Sequence, residues 1–404
     1  MKRIAQKYGA FVRQPDVARL LFVALLSRMP IGMVGFAMLM FLRESFGNFA
    51  LAGTAVGINF IAMAVCAPIQ GRLIDRHGPR RLMLVTGVVQ PIALAGVLLA
   101  TSAAAPFWVV AVFSGLAGIF ASPITTLTRT MWRHRFDREE DRRTAFALDA
   151  VTIEINFTLG PAIVAGVLGL WDARVAFALS IVVVAASAAI YILSGVLSLF
   201  QRVTAGERHL LGPLTEPRLW VVFIATFGLT VCFGFLEVGY PAYATFLDTP
   251  SLAGILLAIN AIGSAVGGGL YGGMHFKLPV ERQFAYAMGL MALPLALHAL
   301  VLQPVLAFAV VAFFAGALIA PTITAQSVLV SRLAPARYAT EAFTWSSTFI
   351  VSGIGAGMAV GGAMVESVGL RPTFAAGAAI MAAMALGTLA LLAPEAPEGA
   401  RAND

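Results

Sequence analysis

The chain has 404 residues, of which 59 % are hydrophobic and only 12 % are charged, and its mean hydropathy is +0.88. Soluble domains carry about 25 % charged residues, so this composition excludes a water-soluble protein and indicates a membrane protein. The net charge of +7 favours contact with lipid headgroups rather than nucleic acid, because the basic residues cluster at the ends of apolar segments.

Twelve apolar segments follow along the chain, each long enough to cross about 30 Å of hydrocarbon. The first is too long for the apolar region of a cleavable signal peptide, so we interpret it as a span. The sequence therefore predicts an all-α membrane protein with spans at 18–42, 51–71, 80–103, 106–130, 144–169, 173–199, 218–247, 252–274, 283–303, 305–331, 340–366 and 371–393.

The distribution of Lys and Arg predicts the orientation. With a cytoplasmic N-terminus, the cytoplasmic connections hold the basic clusters at 2–19, 72–81 and 133–143. The other side retains only Arg43, Arg174 and Arg371. We therefore expect an inner-membrane, multi-pass protein with both termini in the cytoplasm.

The two halves of the chain repeat one another. Residues 52–65 match residues 253–266 at an offset of 201, and residues 145–177 match residues 342–374 at an offset of 197. We predict two related six-helix bundles at 1–199 and 218–404, joined by a cytoplasmic linker at 200–217, with a short polar tail at the C-terminus. Parallel repeats of this kind bind solute at their interface, near the middle of the membrane.

Residues that mark an enzyme are missing from the sequence. Cys66 and Cys232 form no CxxC or metal spacing, and the five histidines are scattered. No P-loop, HExxH motif or Ser/His/Asp set is present. We expect no enzymatic activity, no cofactor and no metal.

The connection between the second and third spans reads Gly71-Arg-Leu-Ile-Asp-Arg-His-Gly-Pro-Arg-Arg81. It resembles the G-x-L-a-D-r-x-G-r-k signature of the major facilitator superfamily, and the resemblance extends over all twelve spans. It implies two pseudo-symmetric six-helix bundles, secondary transport of a small molecule by alternating access, and a monomer. The glycines permit a tight turn, and Pro79 suits the first turn of a helix.

In that superfamily the signature aspartate docks near the eleventh span and holds the cytoplasmic side closed. The resemblance assigns this gate role to Asp75, and we expect Arg129 and Asp149 to join its network. The second half has Gly272-Gly273-Met-His-Phe-Lys277 at the same place and no aspartate, so we expect one such contact. The full set expected at the cytoplasmic gate is Gly71, Asp75, Arg76, Gly78, Arg80, Arg129 and Asp149.

Three charged residues are singled out because they lie deep within the predicted spans, where a charge costs about 3 kcal/mol or more. Arg28, Glu154 and Glu237 have no charged counterpart in the other half, Glu237 falling opposite Phe36. Charges needed for architecture are expected to recur in both halves, so we expect these three to face the central cavity. Glu154 is the leading proton carrier and Glu237 the second, while Arg28 is expected to contact solute. The alternative is an Arg28–Glu154 pair that braces the first half.

Polar and aromatic residues in the spans complete the expected cavity, although each alone is equally consistent with helix–helix contact. They are Asn59, Gln90, Asn156, Tyr240, Tyr243, Asn260, Gln326 and Trp345.

The preferred functional hypothesis is proton-coupled export of a small, largely apolar organic molecule. The segment from Asn156 to Gly160-Pro161 resembles the end of a glycine-rich fifth span found in twelve-span drug and metabolite antiporters. The alternatives are an organic-anion symporter or exchanger anchored by Arg28, a non-transporting membrane sensor, and a channel. The substrate and the direction of transport are not predicted by the sequence.

Overall fold

The computed structural model describes residues 11, 13–136, 138–199, 212–274, 276–335 and 338–392. These residues form helices and no strand. Twelve spans, numbered in chain order, are long and apolar enough to cross a membrane. Their helices are Pro15–Ser27 with Pro30–Phe46, Phe49–His77, Pro79–Ser102, Phe107–Ile119 with Ile124–Arg135, Glu139–Leu170, Ala173–Leu193, Pro217–Phe246, Ser251–Gly273, Val280–Leu300, Val305–Ala317 with Ile319–Leu333, Ala339–Ser367 and Leu370–Leu391.

The number and position of the predicted spans are confirmed, with one clear difference at span 6. The sequence predicted this span to continue to residue 199, but its helix ends at Leu193. Gly195 has a φ of 75°, a left-handed conformation that ends a helix, and a short 3₁₀ turn follows at Val196–Leu199. Because residues 194–199 continue the apolar segment, the sequence analysis did not predict that the helix ends at Leu193.

Spans 1, 4 and 10 are each broken into two helices, which the sequence analysis did not predict. A proline lies at each break, namely Pro30, Pro123 and Pro321. Proline has no backbone N–H, so the carbonyl four residues before it loses its helical partner. These freed carbonyls must be satisfied by other helices, because no water reaches them in the hydrocarbon.

Equivalent helices in the two halves pack through equivalent glycines. Gly32 of span 1 meets Gly160 of span 5, and Gly234 of span 7 meets Gly357 of span 11. At Gly160 a Cβ atom would lie 2.5 Å from the carbonyl carbon of Gly32. Both backbones therefore approach more closely than any side chain allows, and the repeat read from the sequence extends to the packing.

Replacing Gly160 with alanine is expected to lower the free energy of unfolding by about 1–3 kcal/mol, because two backbones would have to separate. Gly166, in the same span, has open space around its Cβ position, so Gly166→Ala is the matched control and is expected to be neutral or slightly stabilising. Thermal unfolding of the purified protein in detergent measures both. Equal unfolding temperatures for the two variants would contradict the packing argument.

Spans 3, 6, 9 and 12 form the periphery of the bundle. Each carries a row of exposed, purely apolar side chains, which fits contact with lipid and not with water. The most exposed are Ile92, Leu99, Val182, Leu193, Leu293, Leu300, Leu386 and Leu391.

The two halves meet through span 2 against span 11 and span 5 against span 8. The closest approaches lie at the end of the bundle away from the 71–81 connection. We call the end with that connection the motif end, and the other the opposite end. The contacts at the opposite end join Gly53 to Met358, Gly57 to Gly355, and Gly254 to Pro161 and Ala165.

Toward the motif end the halves separate. On span 2, Gly53, Gly57, Ala64 and Gly71 lie on one face because they are spaced by four and seven residues. The first two pack on span 11, and the carbonyl of Ala64 accepts a hydrogen bond from Thr348 at 3.4 Å. Gly71, two helical turns after Ala64, has nothing within 4 Å of its Cβ position. The structure is therefore closed at the opposite end and open at the motif end.

Candidate functional site

Glu154 lies in the space between the halves. Pro161 and Ala165, seven and eleven residues further along span 5, share its helix face and pack on Gly254 of span 8. Glu154 is therefore directed toward the second half just beyond the point where the halves separate. Its side chain is partly exposed, and its carboxylate makes no hydrogen bond or ion pair with the described residues.

Glu237 also faces the junction of the halves. Three residues before it, Gly234 contacts Gly357 of span 11, and three residues after it, Tyr240 contacts Asn260 of span 8. The Glu237 side chain therefore projects between spans 8 and 11. It is partly exposed, although the residues on either side are buried, and no described residue binds its carboxylate. Glu237 is thus a partly exposed carboxylate in an otherwise buried stretch of span 7.

Arg28 is placed differently from the sequence expectation. It is fully buried at the break of span 1, and it forms a forked ion pair with Asp149 of span 5. Nη1 donates to Oδ1 at 2.8 Å and Nη2 donates to Oδ2 at 3.2 Å. Nη1 also lies 3.3 Å from Oγ1 of Thr152. The alternative pairing of Arg28 with Glu154 is not formed. Arg28 pairs with Asp149, about one and a half turns earlier on the same span.

Asp149 is the centre of this cluster, and its role at the cytoplasmic gate stays a prediction. It is 2 % exposed, and its Oδ1 also accepts a hydrogen bond from Nε1 of Trp132 at 3.0 Å. Arg28 of span 1 and Trp132 of span 4 thus both fix the position of Asp149 on span 5. Arg129, one turn before Trp132, is exposed and lies within electrostatic range of both Asp149 and Arg28.

The exposed face of the second helix of span 4 is polar. Thr126 and Arg129 are exposed there, whereas Leu127, Met131 and Trp132 pack into the first half. A face in contact with lipid would carry apolar side chains, as spans 3, 6, 9 and 12 do. This polar face therefore borders the aqueous opening at the motif end.

Asn156 and Gln90, both expected to contact solute, form hydrogen bonds with backbone groups at the helix breaks. Pro30 leaves the end of the first helix without partners, and the carbonyl of Leu25 accepts a hydrogen bond from Nδ2 of Asn156 at 3.1 Å. At the break of span 4, Oε1 of Gln90 accepts from the backbone N–H of Ser122 at 3.0 Å.

Two residues that the sequence analysis did not single out also donate hydrogen bonds to backbone carbonyls at these breaks. Ser187 donates to the carbonyl of Leu26 at 3.2 Å, and Nε2 of Gln70 donates to the carbonyls of Ile119 and Ala121 at 2.9 and 3.0 Å. Leu26 and Ile119 lie four residues before Pro30 and Pro123. Pro30 and Pro123 were the features of the sequence that could have predicted these helix breaks.

Asn59 and Asn260 have the same structural role in the two halves. Asn59 donates to the carbonyl of Ser114 in span 4 at 2.9 Å, and Asn260 donates to the carbonyl of Ala312 in span 10 at 3.0 Å. Gly118 and Gly316 pack on the backbones of the two asparagines. The recurrence in both halves fits architecture and not a solute contact specific to one half.

The remaining expected cavity residues belong to the second half. Tyr240 is fully buried, and the hydroxyl of Tyr243 donates to the carbonyl of Leu302 at 2.6 Å. Gln326 is fully buried and donates to Ser346 at 2.8 Å, whereas Trp345 is partly buried and packs near the ring of Phe349. The hydroxyl of Tyr243 thus binds the connection between spans 9 and 10, and the amide of Gln326 joins spans 10 and 11.

The gate segment has the local structure that its glycine and proline suggest. Gly78 has a φ of 80° and ends the helix of span 2, and Pro79 begins the next helix. Arg76 and Arg80 are exposed. The side chain of Asp75 lies outside the part of the chain that the structure describes, so its contact with span 11 stays a prediction.

One polar contact between the halves was not expected from the sequence. The backbone N–H of Phe49, at the start of span 2, donates to Oε2 of Glu366, at the end of span 11, at 3.0 Å. In the described residues, no group of three or more His, Cys, Asp and Glu side chains could hold a metal ion.

Comparison with known proteins agrees with this architecture. The Major Facilitator Superfamily matches the sequence over residues 20–349 and again over residues 222–404. The solved structure of a mutant of the nucleoside transporter NupG superposes with a TM-score of 0.76 at 14 % identity, over 93 % of this chain and 100 % of that chain. No curated protein matches the sequence. The likeness to NupG shows the fold alone, while the family match covers most of the chain and confirms the resemblance read from residues 71–81. The chain belongs to the major facilitator superfamily and is a multi-pass secondary transporter, not an enzyme.

Proposed function

We propose that the chain exports a small, largely apolar organic solute across the inner membrane in exchange for protons. The observation that carries this proposal is that Glu154 and Glu237, one in each half, have no partner for their carboxylates among the described residues. A charged carboxylate without a partner is costly within a membrane protein, so such a group favours binding a proton, and it releases that proton where water or a cation stabilises the charge. Each half therefore contributes one proton-binding group to the site where alternating access takes place.

The predicted orientation indicates which side of the membrane the open end faces. The basic clusters at 72–81 and 133–143 belong to the motif end, which the positive-inside rule places in the cytoplasm together with both termini. In this orientation the structure is the inward-open state, which would load solute from the cytoplasm. The halves that move are 1–199 and 218–404, with 200–217 as linker, and residues 200–211 lie outside the described part.

An organic-anion symporter or exchanger anchored by Arg28 is supported less well. The guanidinium is enclosed, and Asp149 neutralises it with both carboxylate oxygens. Binding an anion at Arg28 would require this pair to open. Arg129 is an exposed cation near the Arg28–Asp149 pair, so competition by carboxylates that is lost in Arg129→Ala is the result that would favour this alternative.

The proposal is tested by finding a solute and then measuring proton movement. Purified protein is screened by thermal unfolding against nucleosides, lipophilic amines and carboxylates, because a ligand of the folded state raises its apparent stability. Nucleosides are included because NupG, which has a similar fold, is a nucleoside transporter. Each stabilising compound is then added to proteoliposomes that contain a pH-sensitive dye.

We expect the solute to drive a change of internal pH, and preloaded unlabelled solute to accelerate uptake of labelled solute. Such counterflow requires alternating access, so a channel would not show it. A sensor would bind solute and show neither effect. Solute movement without a change of internal pH would contradict proton coupling and leave uncoupled or otherwise coupled transport.

A further inference from the structure

The contact between Phe49 and Glu366 joins a carboxylate of one half to a helix N-terminus of the other. Phe49 is the first residue of the helix of span 2, and Asn48 is its N-cap. Backbone N–H groups in the first turn lack helical partners, and the helix dipole makes this end positive. A carboxylate is therefore the side chain best suited to bind there, and Glu366 reaches it at 3.0 Å from across the junction.

The repeat provides an internal comparison for this contact. The end of span 5 packs on the start of span 8 in the same way as the end of span 11 packs on the start of span 2. The residue of span 5 that corresponds to Glu366 is Gly169, whose Cβ position lies 3.6 Å from Ser251. The helices approach there without any carboxylate, so Glu366 is not needed for the packing and adds a polar bond to only one of the two junctions.

The same two spans carry the gate signature at the motif end. The resemblance places Asp75, near the end of span 2, against the start of span 11 when that end is closed. Glu366, at the end of span 11, binds the start of span 2 when the opposite end is closed. The position of span 8 that corresponds to Asp75 is Phe276. Neither carboxylate therefore has an equivalent at the junction of spans 5 and 8.

We infer that Glu366 is a gating residue that holds the opposite end closed, the counterpart on span 11 of the contact assigned to Asp75 on span 2. The inference rests on the alternating-access part of the proposed function and not on proton coupling. Rocking of the halves joins one end as it parts the other, so the bond made by Glu366 is present in one state and lost in the other. It stabilises one state only, which is the condition for a contact to shift an equilibrium.

The test measures distances at both ends of the protein in lipid nanodiscs. Spin labels are attached to cysteines introduced by Leu170→Cys and Val368→Cys at the opposite end, or by Ile69→Cys and Phe343→Cys toward the motif end. All four positions are exposed, and each pair spans the two halves. The background carries Cys66→Ser and Cys232→Ala, and double electron–electron resonance gives the distance distributions.

Glu366→Ala is expected to raise the ratio of outward-open to inward-open molecules about 2- to 30-fold, the range measured for loss of a helix cap. The Leu170–Val368 distance should lengthen while the Ile69–Phe343 distance shortens. Glu366→Gln keeps an oxygen acceptor but loses the charge, so an intermediate ratio is expected. A role in stability alone would not move the two distances in opposite directions.

Glu44→Gln is the matched control, because Glu44 is exposed in the last turn of span 1 at the same end and binds no described residue. It should leave both distributions unchanged. Unchanged distributions in Glu366→Ala, or a shift of equal size in Glu44→Gln, would overturn the inference. If Glu366→Ala does not fold, Glu366→Gln decides by the same criterion. Because no solute or proton gradient is present, failure of proton coupling leaves this result unaffected.

Discussion

Asp149→Leu is expected to lower the free energy of unfolding by about 3–5 kcal/mol, the largest effect of any single substitution proposed for this protein. It would leave the Arg28 guanidinium charged at the break of span 1, with 0 % of its surface exposed. Trp132 would also lose the acceptor of its indole N–H. Loss of folded protein on extraction, or a strongly lowered unfolding temperature in detergent, is the measurement.

The double variant Arg28→Met, Asp149→Leu separates the cost of an unpaired charge from the value of the pair. Buried ion pairs replaced as a whole by apolar residues are often neutral or stabilising, so the double variant should recover most of the loss. The exposed pair of Asp16 and Arg135, 2.5 Å apart, is the control, and Asp16→Asn should cost less than about 1 kcal/mol. If the double variant unfolds as early as Asp149→Leu alone, the charge is not the cause.

Glu154→Gln is expected to abolish solute movement driven by a proton gradient while leaving expression and solute binding intact. Glutamine has nearly the same shape but binds no proton, and the carboxylate has no described partner whose loss would disturb the fold. Uptake into inside-out vesicles, energised to an acidic interior, measures the effect. Counterflow without a gradient should persist, because exchange of solute for solute needs no net proton transfer.

Glu237→Gln extends the same experiment to the second half. If one carboxylate carries the proton and the other only contacts solute, gradient-driven uptake will fail in one variant and solute affinity will change in the other. Glu44→Gln again serves as control, since Glu44 is exposed in the last turn of span 1 and binds no described residue. Normal gradient-driven uptake in both Glu154→Gln and Glu237→Gln would remove the proton role of this site.

The sequence was sufficient for features that depend on composition along a single helix. Length and apolarity of each segment determine whether it spans a membrane, so all twelve spans were predicted, with the largest error at the end of span 6. The internal offsets of 197 and 201 likewise predicted where glycines recur. Gly160 and Gly357 do pack against equivalent glycines, because backbone contact in lipid requires small residues at fixed positions.

The candidate site could be predicted only in part. That Glu154 and Glu237 lie within spans follows from the sequence, but their direction depends on helix rotation. The structure supplies it through neighbours on the same face, Pro161 and Ala165 for Glu154, and Gly234 and Tyr240 for Glu237. Their role as proton carriers stays a prediction.

What only the tertiary structure decided is the choice of partner for each polar group. Arg28 had two acidic candidates on span 5, five residues apart, and a helix turns through about 140° between such positions. Packing of Gly32 on Gly160 sets the rotation that brings Asp149, not Glu154, to Arg28. A sequence records which residues lie in a span, whereas rotation and register between spans arise from contacts distant in the chain.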